Sequence, residues 1–140
     1  MSLKKTYIDS GVLITAFRGA DEIALRAIQI LDDPDREFAV SEFVKLEVLP
    51  KAIHGKRQLE VDFYETFFTK VSYWAEPLGL VVELAFQQAS TYGLATVDAL
   101  HVAAALIVGA DELVTTEKLT KPIHRVTGIQ LISIAEINTP

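Results

Sequence analysis

Short apolar runs alternate with longer stretches of helical periodicity along this chain, and that alternation excludes most folds. Lys5 to Asp9 is the first run, and residues 37–40, 112–115 and 130–134 are the others. The first reads as a buried, central strand. Residues 12–17, 21–32, 42 onward, 58–75, 80–91 and 97–108 instead carry apolar side chains at helical spacing. Short apolar strands separated by helices predict a parallel sheet with helices on both faces. The expected class is therefore α/β, with four or five parallel strands.

The punctuation between elements agrees with that pattern. Asp9, Ser10 and Gly11 break the first strand, and Asp32 to Asp35, with Pro34 among them, stop the second helix. Ser41 suits the N-cap of the helix that opens at Glu42. Pro50 falls inside that helical pattern and predicts a kink or an end to its first part. Over residues 58–75 the spacing predicts a single helix presenting Leu59, Phe63, Phe67, Val71 and Trp74 on one face. Gly93 ends the next helix, and Thr96 suits the cap of the one after it, which Gly109 closes. That last helix is rich in alanine (Ala99, Ala103, Ala104, Ala105), and such small side chains suit close packing against a sheet.

Size and composition bound the rest. A chain of 140 residues, half of them hydrophobic, can bury one full core, so residues 1–140 are read as a single domain. There is no cysteine, hence no disulfide framework and no zinc-thiolate site. No apolar run approaches the roughly 20 residues that span a bilayer, and Met1 to Thr6 lead into a strand rather than a signal segment. A soluble, cytoplasmic protein with no membrane partner is expected. The net charge of −6 argues against a protein that coats nucleic acid, without excluding an enzyme that cuts it. Lys45, Lys51, His54, Lys56 and Arg57 form one basic group, and Lys118, Lys121, His124 and Arg125 another. Each taken alone reads as ordinary solvated surface.

Four acids stand where an α/β sheet gathers its functional groups. Asp9 ends strand one, Glu47 lies in the helix after strand two, Asp98 opens the alanine-rich helix, and Glu117 follows the strand ending at Thr115. Each has a bland explanation. Asp9 suits a turn, Asp98 complements a helix dipole, Glu47 could pair with Lys51 one turn on, and Glu117 could be a solvated loop acid. His101, three residues after Asp98, reads as a half-buried packing histidine rather than a ligand. Together the acids would repel one another, and a hard cation is the simplest way to hold them. Without one, a carboxyl is expected to stay protonated.

Their order and context resemble the PIN-domain family, in particular the toxin ribonucleases of the VapC type from toxin–antitoxin pairs. The matching stretches are residues 7–14, 41–47, 96–105 and 112–117, nearly the whole chain in extent. The resemblance implies a three-layer α/β/α sandwich and a nuclease that uses Mg²⁺ or Mn²⁺ to hydrolyse RNA. By position, Asp9, Glu47 and Asp98 match the family's three principal acids. Glu117 falls where the family more often has Asp, and Ser10 and Thr115 match small hydroxyl residues beside the first and fourth acids. Gly11 stands where a polar residue is more usual.

One or two ions held by these acids would neutralise phosphodiester charge, deliver a water of lowered pKa and steady the leaving oxygen. Asp9 and Asp98 are expected as direct ligands and Glu47 as ligand or water-orienting base, while Glu117 either joins as a fourth ligand, through water, or swings out and leaves a three-acid site. The resemblance also implies an antitoxin partner, and a homodimer is expected as well. The aromatic residues Phe63, Tyr64, Phe67, Phe68, Tyr73 and Trp74 exceed what one buried face needs, so an exposed remainder could serve either contact. Aspartyl phosphotransfer fits poorly, since the expected second acid after Asp9 is replaced by Ser10-Gly11. A PIN-like domain that binds RNA or protein without catalysis is the alternative.

Overall fold

Parallel pairing organises the whole sheet. The computed structural model describes residues 2–135. Its strands are β1 (Lys4–Ile8), β2 (Arg36–Val40), β3 (Tyr73–Trp74), β4 (Glu112–Thr115) and β5 (Gln130–Ser133). They lie in the order β3-β2-β1-β4-β5, every pair parallel. β1 is central. Tyr7 pairs with Ala39 on one side and Leu113 on the other, and Thr6, Tyr7 and Ile8 are fully buried.

The connections carry helices α1 (Ser10–Arg18), α2 (Glu22–Leu31), α3 (Glu42–His54), α4 (Gln58–Lys70), α5 (Leu78–Tyr92) and α6 (Thr96–Ile107). The chain runs outward from β1 to β3 and then returns past β1 to β4, and crossovers between parallel strands keep one, right-handed, sense. That reversal puts α1 to α4 on one face of the sheet and α5 with α6 on the other. Each group packs among its own members accordingly. The result is the three-layer α/β/α sandwich with five strands. Buried Ala99, Ala103, Ala104 and Ala105 bring α6 close to the sheet, and Gly93 and Gly109 adopt the left-handed turns that end α5 and α6.

Several local expectations are corrected. The helix predicted over residues 58–75 ends at Lys70, and Tyr73–Trp74 form the edge strand β3. Strand β2 offers an open edge, and Ser72 and Ala75 donate backbone N–H groups to Phe38 and Val40. That long-range pairing outweighs helical spacing. Leu59, predicted on the buried face, is 78% exposed, while Val61, Tyr64, Phe67 and Phe68 pack inward. The exposed aromatic remainder is smaller than expected, because Phe63, Tyr73 and Trp74 are half-buried and the other three aromatic residues are buried.

Pro50 does not end α3, which runs through to His54. The carbonyl it strands is that of Leu46, on an exposed turn where water can satisfy it. Neither Ser41 nor Thr96 caps its helix with its side chain. Ala95 occupies the N-cap before α6, and the Ser41 hydroxyl is diverted to Tyr7.

Candidate active site

The strand order reverses between β1 and β4, and in open α/β sheets such a crevice is where ligands bind. Asp9 stands at its mouth. Its backbone N–H extends the ladder to Val114, and its side chain accepts from Gly11 N at 3.3 Å as the N-cap of α1. Its other carboxylate oxygen accepts from the Thr115 hydroxyl at 2.8 Å. Thr115 in turn accepts from the Glu117 backbone N–H at 3.1 Å, and the Glu117 carbonyl accepts from His124 at 2.9 Å. One threonine hydroxyl therefore ties the segment carrying Glu117 to Asp9.

Glu47 reaches the same crevice from α3. Its Oε1 accepts from Ser10 Oγ at 2.7 Å and from His101 Nε2 at 2.6 Å. Ser10 Oγ also lies 3.2 Å from Asp9. One hydroxyl carries one proton, so the shorter contact marks Glu47 as its principal acceptor. Burial pushes the Glu47 carboxyl up, but the bonds from His101 and Ser10 and the charges of His101 and Lys51 outweigh it and hold it below the ordinary range. The pairing with Lys51 weighed from sequence is therefore a minor influence.

Asp98 is half-buried in the first turn of α6. Burial, then the charges of Glu117 and Asp9, push its pKa up to about 6, with Glu47 adding to the effect and His101 opposing it. Asp98 thus senses the other three acids, each from a separate segment. Among the described residues, no three acids or histidines already converge closely enough to hold an ion. The chemistry of the donors nevertheless fits a hard divalent cation. They are all carboxylates, flanked by hydroxyls, and one of them, Asp98, has its pKa raised by burial and by its acidic neighbours.

Over residues 6–119 the chain matches the PIN domain family. It belongs to that family. A comparison with curated proteins finds no match. Among solved structures, this PIN domain resembles a toxin–antitoxin complex from Klebsiella pneumoniae, with a TM-score of 0.70 and 21% identity over 94% of this chain and 99% of that one. It also resembles VapBC-1 from nontypeable Haemophilus influenzae (TM-score 0.68, 18% identity, 94% and 99% covered). A third is VapBC2 from Rickettsia felis bound to a DNA fragment from the promoter (TM-score 0.68, 16% identity, 92% and 98% covered). At such identities the likeness speaks for the fold.

Two features of this PIN domain were not read from its sequence. Gly11 has a steric reason, since a Cβ built there would collide with the Thr116 hydroxyl across the crevice. His101 is not half-buried; it is 1% exposed and bonded at both ring nitrogens, to Glu47 through Nε2 and to Tyr7 through Nδ1 at 2.9 Å. The Tyr7 hydroxyl continues to Ser41 Oγ at 2.8 Å. Tyr7 and Ser41 are fully buried, and burial pushes the Tyr7 phenol far above its usual range. Burial disfavours the His101 cation, but Glu47, Asp9 and Asp98 outweigh that and raise its pKa. A signal did exist. Tyr7 lies two residues before Asp9, the same side of a strand, and a buried tyrosine needs a partner for its hydroxyl.

Proposed function

We propose that this PIN domain is a divalent-metal-dependent endoribonuclease and the toxin of a toxin–antitoxin pair. The reading rests on Asp9 at the switch point of a parallel sheet, together with a half-buried Asp98 whose pKa is raised by burial and by the charges of Glu117, Asp9 and Glu47. Asp9, Asp98 and Glu47 would hold Mg²⁺ or Mn²⁺, with Glu117 as a fourth ligand directly or through water. A bound ion would neutralise phosphodiester charge and supply a water acidic enough to attack it. Ser10 and Thr115 keep the carboxylates aimed, Thr115 by donating to Asp9 and Ser10 by donating to Glu47. Glu47, held ionised by its donors, is suited to orient or deprotonate that water.

The resembling structures from Klebsiella pneumoniae and Haemophilus influenzae, a toxin–antitoxin complex and VapBC-1, support an antitoxin partner here. An apolar groove lined by Phe17, Leu31, Leu59, Phe63 and Phe67 offers a place for it. A homodimer and a cytoplasmic site of action complete the reading. No described helix is long and apolar enough to cross a membrane alone. The alternative is a PIN domain that binds RNA or protein without cutting, favoured by the long Glu117 arm and by the absence, among the described residues, of a preformed three-ligand cluster. Cleavage of RNA by purified, partner-free protein decides between them. The nuclease reading expects cleavage with Mn²⁺, abolished by chelator and by Asp98→Asn. Folded protein that cuts no RNA with either metal would reject it.

A further inference from the structure

Glu47 sits where little in its own helix would hold it. Its side chain is 36% exposed, and a glutamate so placed has several rotamers open to it. Two donors reduce these to one, and both act on the same oxygen. Ser10 Oγ and His101 Nε2 lie 2.7 and 2.6 Å from Oε1, and neither bonds Oε2. The carboxylate is thus pinned by one oxygen while the other stays available.

The grip of His101 is only as good as the orientation of its ring. That orientation comes from the other side of the imidazole, where Tyr7 OH meets Nδ1 at 2.9 Å and Ser41 Oγ meets Tyr7 OH at 2.8 Å. Ser41, Tyr7 and His101 are all buried, and they come from the start of α3, from β1 and from α6. Whether the imidazole is neutral or charged, Nε2 carries the proton that goes to Glu47. Only the direction of the Tyr7 bond differs between the two states. The relay therefore works in either form.

We propose that Tyr7 and His101 are positioning residues, which set the affinity of the site for a divalent cation by holding the Glu47 carboxylate in place without touching the ion. This rests on the reading of Glu47 as a metal-binding acid. Outer partners of ligating groups typically change metal affinity ten- to a hundredfold when removed, about the size of effect expected here.

The test is Mn²⁺ titration by calorimetry on chelator-stripped protein, with circular dichroism confirming that each variant is folded. Tyr7→Phe removes one oxygen and keeps the ring that fills the core. It is expected to weaken Mn²⁺ binding by about tenfold or more. His101→Gln retains an N–H donor toward Glu47 and is expected to bind Mn²⁺ within about threefold of the wild type, whereas His101→Leu should lose about a hundredfold. A residue that only fills the core would lower the melting temperature without moving the Mn²⁺ dissociation constant of the folded protein. Wild-type affinity in Tyr7→Phe and His101→Leu would therefore overturn the proposal. Wild-type protein that binds no Mn²⁺ would remove the reading of the acids and this inference with it. Binding that is lost in Asp98→Asn but kept in Tyr7→Phe would leave the site standing and reject the relay alone.

Discussion

Replacing Asp98 with Asn is expected to stabilise the metal-free protein while abolishing its response to divalent cations. The Asp98 carboxyl is lifted from 3.8 to about 6, by burial first and then by the charges of Glu117 and Asp9. A raised pKa means that the folded state holds the proton more tightly than the unfolded state. The stability this group contributes is present in full below about pH 4 and is lost as pH rises through about 6. At about 1.4 kcal/mol per pH unit, the whole effect would be about 3 kcal/mol. Solvent screening of a half-buried carboxyl reduces this to about 1 kcal/mol.

For a domain of 140 residues, that is about 3 °C in melting temperature. The assay is calorimetric melting in chelator across the pH range. Asp98→Asn should melt about 3 °C above the wild type near neutral pH, and the gap should close toward about pH 4. Mn²⁺ should raise the wild-type midpoint, since a ligand of the folded state stabilises it, and leave the variant unmoved. A variant that melts at or below the wild type at neutral pH would refute the reasoning. So would a gap that persists at low pH, which would mean that the gain came from packing rather than charge.

Glu60 is 4% exposed and accepts from Arg18, Arg57 and the buried Tyr64 hydroxyl, tying α4 to α1. Glu60→Ala should cost about 2–3 kcal/mol in urea unfolding, mostly from the stranded tyrosine. Burial raises its pKa, but the donors outweigh that and depress it. Its contribution should accordingly be present above the ordinary glutamate pKa and fade as pH falls through the depressed value, a dependence that Glu60→Gln removes. Gly11→Ala should cost about 1–2 kcal/mol through its collision with Thr116. In a Thr116→Ala background the same change should cost nothing or stabilise slightly, because alanine favours the helix, and a double-mutant cycle in urea would read the coupling.

Much of the frame was legible because strand and helix periods are written locally. Tyr7, Ile8, Leu113 and Val114 announce two buried strands, and the alanines of α6 announce a close-packed helix. The positions of Asp9 and Glu117 were legible too, because each closely follows the carboxyl end of a parallel strand, β1 ending at Ile8 and β4 at Thr115. The edge strand at Tyr73–Trp74 was not, because a two-residue strand has no period of its own and exists only through its bonds to β2. Nor could Pro50 say whether its helix would end there, since the cost of a proline in a helix depends on whether the stranded carbonyl meets water.

By itself, then, the sequence determined the alternating architecture, the central place of β1 and the position of Asp9 and Glu117 just after parallel strands. It also carried the expectation that one of the four acids would hold its proton. Only the tertiary structure decided which side chains meet. It turned Glu47 away from Lys51 toward Ser10 and His101, diverted Ser41 from its helix to Tyr7, and set Gly11 against Thr116. Local spacing says which face of its own element a side chain takes. It does not say which residue from a distant segment will be waiting there, and hydrogen bonds such as these, spanning between 34 and 94 residues of sequence for Tyr7, exist only once the layers have closed.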